Sequence, residues 1–432
     1  MSTRRTFMQK LAVLGTSAFT ANTLLQELHA AHLEDAYKLL DAGNPESDAR
    51  NEAFWTFFQQ AYTVNPNLIN LNNGGVSPAP KVVQEALQRY NDLANQAPSY
   101  YMWRVIEMNR EPLRYKLAQL AGCSTEEIAI NRNTTESLNT VIFGLPLQKG
   151  DEVIGTLQDY PNMIQAWRQR QMRDGIVYKQ ISFDFPIEDD ETIVQKFAEA
   201  MTPKTKVVHI THIVNWVGQI LPVKKIADMA HSRGAEVIID GAHSFGLLNF
   251  KIPDLGGDYY GTSLHKFLSA PIGNGLLWIK KEKIGKIWPL LCNDKPQSDD
   301  IRKFETLGTR SFCIEQATGE AINFHEAIGS QRKEDRIRYL KNYWAEKAAQ
   351  IPKVKLHTSL KAPYSCAIAG VSIDGLKPEE LDSKLFNKFK IHAVGINWEN
   401  IHCVRVTPHV YTRTQDLDKL VYALEQIAAG KV

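Results

Sequence analysis

Between about residues 80 and 280 of this 432-residue chain, short runs rich in β-branched and apolar residues alternate with stretches of helical character. The runs are Val153-Ile154, Val177–Ile181, Val207–Thr211, Val237–Asp240 and Leu276–Ile279. Between them lie helical stretches at about 80–95, 104–121, 135–144, 162–173 and 223–233. Strands joined through helices pair in parallel, and a parallel sheet is covered on both faces. The pattern therefore predicts an α/β fold, with a mostly parallel sheet flanked by helices. After about residue 315 the pattern changes to one long charged helix over 315–350, followed by mixed α and β segments. The expected organisation is an N-terminal helical segment at 31–70, a large α/β domain at 71–318 and a smaller α+β C-terminal domain at 319–432. In such sheets ligands bind beyond the carboxyl ends of the strands, so residues just after strands carry the functional argument.

Two strand ends matter most. Val237-Ile238-Ile239-Asp240 runs into Gly241-Ala242-His243-Ser244, which delivers a carboxylate at the end of an apolar strand. Downstream, Tyr260-Gly261-Thr262-Ser263-Leu264-His265-Lys266-Phe267 sets a lysine beside hydroxyl and imidazole groups. Either segment alone is ordinary; their order and spacing together are not. Asn131-Arg132-Asn133-Thr134-Thr135-Glu136 precedes a helical run, and a helix start offers hydroxyls and backbone N–H groups that suit a phosphate or serve as a plain cap.

Charge and cysteine usage exclude other classes. The formal net charge is +2, all of it contributed by residues 1–30, which carry Arg4, Arg5 and Lys10 against Glu27. The remainder is balanced and shows no basic face or tail for nucleic acid. The five cysteines (Cys123, Cys292, Cys313, Cys366, Cys403) show no zinc-type spacing, so no metal site is expected. A nucleotide-dependent enzyme is disfavoured, because neither a G-x-G-x-x-G after the first strand nor a phosphate-binding G-x-x-x-x-G-K-[ST] loop is present.

The first thirty residues have the form of a signal peptide: a charged start, an uncharged apolar stretch from Leu11 to Leu25, and Leu28-His29-Ala30 at the end. Arg4-Arg5-Thr6-Phe7 resembles the twin-arginine export motif. The expectation is folded export to the periplasm by the twin-arginine machinery. Leu28 is large for the position before a cut, which leaves an uncut membrane anchor open.

With these segments in view, the sequence resembles the class V aminotransferase family of fold-type I pyridoxal-phosphate (PLP) enzymes over roughly residues 70–410. It is most similar to isopenicillin-N-epimerase-like members and more distantly to cysteine desulfurases. The resemblance implies PLP as cofactor, with Asp240 pairing the pyridine nitrogen and Lys266 forming the Schiff base. It implies His243 and Asn215 near the ring oxygen and Tyr160 stacked on the ring. Thr134, Thr135, the backbone of Glu136, Ser263 and His265 would hold the phosphate. Gly308-Thr309 resembles the pair that reaches the phosphate of a neighbouring subunit, which implies a homodimer with shared active sites and places Thr309 in the cofactor site. His402-Cys403-Val404-Arg405 resembles the strand whose arginine binds the substrate α-carboxylate. Asn72-Asn73-Gly74-Gly75 looks like the loop over the active site, with Asn73 toward the substrate.

The sequence departs from the desulfurase pattern. Phe386–Asn400, ahead of Arg405, holds no cysteine where desulfurases carry a mobile one. The expected substrate is an amino acid or modified peptide acted on at its α-carbon. Transamination, epimerisation and C–S or β-elimination remain open, and a non-catalytic binding protein on the same fold is the alternative of another class.

Overall fold

The computed structural model describes residues 44–432. The export signal expected at residues 1–30 lies outside them, as do residues 31–43 of the expected N-terminal helical segment. That segment is helical at Pro45–Asp48 and at α1 (Glu52–Gln59), each capped by an asparagine side chain (Asn44, Asn51). Among the described residues, no helix is long and apolar enough to cross a membrane.

The chain enters through β1 (Ile69–Asn70) and then builds α2 (Lys81–Gln96), α3 (Arg110–Ala121), β2 (Ile128–Asn131) and α4 (Thr134–Gly144). Next come β3 (Glu152–Thr156), α5 (Pro161–Asp174), β4 (Val177–Ile181), α6 (Asp190–Ala200), β5 (Thr205–Thr211) and α7 (Val223–Ser232). β6 (Glu236–Asp240), β7 (Tyr259–Ser263) and β8 (Gly275–Ile279) complete a seven-stranded sheet of order β2-β8-β7-β6-β5-β3-β4. All pairings from β7 through β4 are parallel, and β8 is antiparallel to both of its neighbours. Successive strand residues face opposite covered layers, which is why β5, β6 and β8 read as apolar runs. Val208, Ile210, Val237 and Ile239 pack with α3, α6 and α7, whereas Val207, Ile238 and Val153 pack with α4 and α5.

Two expectations are corrected. The helix expected from residue 104 begins at Arg110, after a π turn (Met102–Ile106) and a 3-10 turn (Glu107–Asn109). The long helix expected over 315–350 is two helices, α8 (Phe312–Ile328) and α9 (Ser330–Ala348). Gly329 separates them at φ +88°, a conformation that favours glycine. α8 packs on α2 and α3 of the large sheet layer, whereas α9 packs on the C-terminal elements.

Those elements are β9 (Val354–Leu356), β10 (Ala369–Ile373), α10 (Pro378–Phe389), β11 (Ile391–His392), β12 (Val394–Trp398), β13 (Ile401–Val406) and α11 (Thr414–Ala428). An antiparallel sheet of order β12-β13-β10-β9 packs beneath α9, α10 and α11 around Leu340, Trp344, Leu385, Leu420 and Leu424. β1 pairs in parallel with β11, and Asn72 bridges to Thr407. The chain therefore touches the small sheet before it builds the large one. This route carries the loop after β1 past the carboxyl ends of β6 and β7.

Candidate active site

β6 and β7 are adjacent and parallel, so Asp240 and Ser263 end on the same sheet edge. The turn after β7 carries Lys266 back across that edge. Lys266 Nζ lies 3.1 Å from His243 Nε2, which also lies 2.9 Å from the Gly74 carbonyl oxygen. A carbonyl only accepts, so the Gly74 contact puts the proton on His243 Nε2. The second contact then suits Lys266 as a neutral amine with a lone pair to offer. The electrostatics agree. Burial pulls the Lys266 amine down to about 7; Asp240 opposes that shift and the Arg405 guanidinium adds to it. Burial likewise holds His243 well below the usual imidazole range, with Lys266 and Arg405 adding to the effect.

Asp240 is buried and accepts the Ala242 backbone N–H at 2.9 Å. Burial raises its carboxyl above the ordinary range, with His209, the Ala242 N–H and Lys266 working against that shift. Arg405, on β13, reaches into the same space. Its Nη1 donates to the Asn215 carbonyl and its Nη2 to Asn72 Oδ1, both at 2.9 Å. Burial lowers its guanidinium to about 10, and Tyr160 is close enough to act on it electrostatically. Four buried polar atoms around this space have no hydrogen-bond partner among the described residues: Asn215 Oδ1, His265 Nδ1, Arg405 Nε and Thr407 Oγ1. Buried polar atoms are ordinarily satisfied, so the cluster is shaped for a polar ligand.

The start of α4 forms one wall. Asn133 caps it by accepting the Glu136 backbone N–H at 2.9 Å. Thr134 donates its backbone N–H to Ser263 Oγ at 2.9 Å, and their hydroxyl oxygens stand 2.7 Å apart. A Cβ at Gly275 would sit 2.6 Å from Asn133 backbone atoms, so glycine lets β8 press against this helix start. The positive end of α4 thus faces the edge that carries Lys266.

The sequence profile of "Aminotransferase class-V" matches residues 69–420. The chain belongs to that family. Isopenicillin N epimerase of Streptomyces clavuligerus is 25% identical over 392 residues, covering 87% of this chain and 98% of that protein. A probable cysteine desulfurase of Halalkalibacterium halodurans is 27% identical, covering 83% of this chain and 93% of its own. Among solved structures, a mutant of C-DES with glycine covalently linked to the PLP cofactor superposes with a TM-score of 0.77 at 22% identity, over 85% of this chain and 98% of its own. The fold is therefore the fold-type I arrangement of PLP-dependent enzymes.

Within this class-V chain, the structure brings together Lys266, Asp240, His243, Asn215, Arg405 and Tyr160, the last 41% exposed at the start of α5. Thr134 and Ser263 form the helix-start wall, with His265 in the same turn as Lys266. Thr135 Oγ1 accepts from Asn162 Nδ2 at 3.4 Å. Two expectations need correction. Asn73, expected toward the substrate, is fully buried; it donates to the Thr407 carbonyl at 2.9 Å and accepts from Tyr411 Oη at 2.6 Å. Its neighbour Asn72 faces Arg405 instead. The Glu136 backbone N–H, expected at a phosphate, is taken by the helix cap, and the Glu136 carboxylate pairs with Arg132 at 3.0 Å. Thr309, expected at the phosphate of a neighbouring subunit, lies exposed on a surface cavity with Trp103, Met108 and Arg310, apart from the groups around Lys266.

Three residues escaped the sequence reading. Asn72 had no signal apart from the loop it belongs to. Asp159 is buried, accepts the Thr156 backbone N–H and the hydroxyls of Thr156 and Thr211 at 2.7–2.9 Å, and is raised by burial to about 6. The Thr156-x-x-Asp159 spacing at a strand end was its signal. His209, inside β5, had no signal beyond its presence in an apolar strand.

Proposed function

We propose that this protein binds PLP at Lys266 and acts at the α-carbon of an amino acid or modified peptide, moving the α-proton as epimerases and aminotransferases do. The observation that carries this is the buried amine of Lys266, drawn down to about 7 between Asp240 and Arg405 and touching His243. When bound, PLP supplies an electron sink that weakens the bonds to the substrate α-carbon. The chain's own groups fit that cofactor. The Asp240 carboxylate is a counter-ion for a ring cation, and the start of α4 with Ser263 suits a phosphate. The unmet Asn215 Oδ1 and His265 Nδ1 await polar partners. Lys266, neutral in a large fraction near pH 7, can attack an aldehyde and then carry a proton on one face of the substrate. Arg405 offers a planar fork to an α-carboxylate.

The desulfurase reading is weaker. Residues 386–400, where desulfurases hold a mobile cysteine, form the end of α10, β11, β12 and a two-residue turn, Glu399-Asn400, with β12 and β13 paired from Trp398↔Ile401 outward. Cys403 in β13 is fully buried and pushed up to about 12 by burial, so it is no thiolate donor. A C–S or β-elimination lyase needs no protein thiol and stays as the second reading. Residues 1–30 support an exported enzyme, for which tailoring of a secreted natural product is the fitting task; recovery of the mature protein only from the cytoplasmic fraction would remove that part of the reading.

The test is the visible spectrum of the purified protein beside Lys266→Ala, before and after a panel of L- and D-amino acids in deuterated water. A yellow band lost in the variant, with deuterium entering the α-position of one substrate class, supports the proposal. Release of pyruvate and a thiol favours the lyase. A colourless protein that PLP cannot reconstitute sinks both.

A further inference from the structure

Beside Asp240, on the neighbouring strand, lies a histidine that the proposed chemistry does not use. β5 and β6 pair with Thr211 opposite Asp240 and His209 opposite Ile238. His209 therefore sits one step back on the neighbouring strand, on the same sheet face as Asp240. It has no solvent exposure. Its Nδ1 receives the Trp167 indole N–H at 3.3 Å, with the two rings edge to face. An indole N–H only donates, so Nδ1 is the bare nitrogen and the ring proton sits on Nε2. That Nε2 is buried with no hydrogen-bond partner among the described residues. A buried N–H left unmet costs about 1–3 kcal/mol, so the protein keeps it for a reason.

Among the described residues, the charge set against His209 is Asp240, with which it interacts electrostatically. Burial holds the imidazole down to about 4, so it stays neutral across the physiological range. Asp240 is also faced by Lys266, by Asp159 beyond β3, and by Tyr260 on β7. Asp159 opposes ionisation of Asp240, whereas Lys266 favours it.

We infer that His209 is a positioning residue for Asp240: its tautomer is fixed by Trp167, and it turns a neutral N–H dipole toward the back of the carboxylate. A neutral donor supports the carboxylate without adding a second cation to compete with whatever Asp240 faces. It also ties the site to α5, because Trp167 lies on the helix whose start is Tyr160. The role of Asp240 toward a ring cation rests on the function proposed above, but the coupling of His209 to Asp240 does not.

The experiment therefore begins on the cofactor-free protein. Infrared difference spectra against Asp240→Asn isolate the Asp240 carboxyl band and follow its titration. His209→Phe should move that midpoint up by about one unit, and His209→Gln, which keeps an amide N–H, should restore most of it. Trp167→Phe should give a smaller upward shift, since it frees the tautomer without removing the ring. Equal midpoints in wild type, His209→Phe and Trp167→Phe would overturn the inference. If His209→Phe does not fold, the comparison of His209→Gln with the shorter His209→Asn decides, only the latter being expected to shift the midpoint. With PLP bound, the ¹⁵N resonance of the labelled ring nitrogen should lose protonated character in His209→Phe and keep it in His209→Gln. A midpoint that shifts in a protein that never binds PLP would leave the His209–Asp240 coupling standing and remove the proposed function instead.

Discussion

Lys266 is held at about 7 chiefly because burial penalises its charged form, which makes its neutrality at working pH a property of the fold. An ordinary lysine, near 10.4, is neutral in only about one part in 2,500 at pH 7. The sign is fixed: a lowered folded value means the neutral amine dominates above pH 7 and is lost as pH falls through it. The rate at which the cofactor-free protein takes up PLP, measured by borohydride trapping and mass, should rise about tenfold per unit below pH 7 and level off above about 8. A rate still climbing at pH 9 would show an ordinary lysine. At this scale Asp240 stood out as a carboxylate ending an apolar strand, whereas Lys266 and Arg405 were picked out by the resemblance of their segments to the family. Asn72 and Asn73 were not separable: neighbours on extended backbone point to opposite sides, and only the pairing with Thr407 tells which one turns inward. His209 was invisible for a related reason, since a buried histidine in a strand reads as core until its orphan nitrogen is found.

Of the five strands readable in the large sheet, β3, β5, β6 and β8 were so because both of their faces are covered and demand apolar residues, whereas the half-exposed edge strand β4 showed itself only through its β-branched ends. β7 was not, and the cause is a close approach: a Cβ at Gly261 would sit 2.6 Å from Leu138 of α4, so the strand needs a glycine in its middle and loses its β-rich signature. The β12–β13 hairpin shows what an element does beyond its own pairing. Trp398 stacks on Trp216 at 5.4 Å, and the two indoles donate to the carbonyls of Leu157 and Gln158, each at 2.9 Å. Asn400 in the turn accepts from the Gln158 side chain at 2.8 Å. The small sheet thus grips the loop that carries Asp159 and Tyr160. Trp398→Ala should cost about 2–3 kcal/mol, below the ~3–5 of a wholly buried tryptophan because Trp398 is partly exposed. It should also weaken PLP binding severalfold, read by fluorescence titration, whereas Tyr422→Ala on the exposed face of α11 should do neither. Equal loss of PLP affinity in both variants would dissociate the hairpin from the site.

At the scale of the whole molecule, the α/β architecture followed from the alternation of strands and helices, while the break at Gly329 was hidden inside what reads as one long helix. That break sends α8 to the large sheet and α9 to the small one. What a single chain leaves unexplained is Thr309. It is exposed, follows Gly308 at φ +78°, and borders the same surface cavity as the exposed Trp103 and Met108, touching none of the groups around Lys266. Such a residue acquires a role if a second copy covers this face and Thr309 reaches the phosphate wall of the partner, as the homodimer implied by the family resemblance requires. Sharing of this kind has a consequence that mere association lacks. Thr309→Glu and Lys266→Ala should each be inactive alone, the first because its charge would repel a phosphate. Mixed after reversible dissociation, they form hybrids in which Lys266 of one subunit meets the intact Thr309 of the other. Random pairing makes about half the dimers hybrid, each with one intact site, so roughly a quarter of wild-type activity should return. Sites complete within one chain would make Thr309→Glu alone nearly fully active, or leave the mixture as silent as its parts.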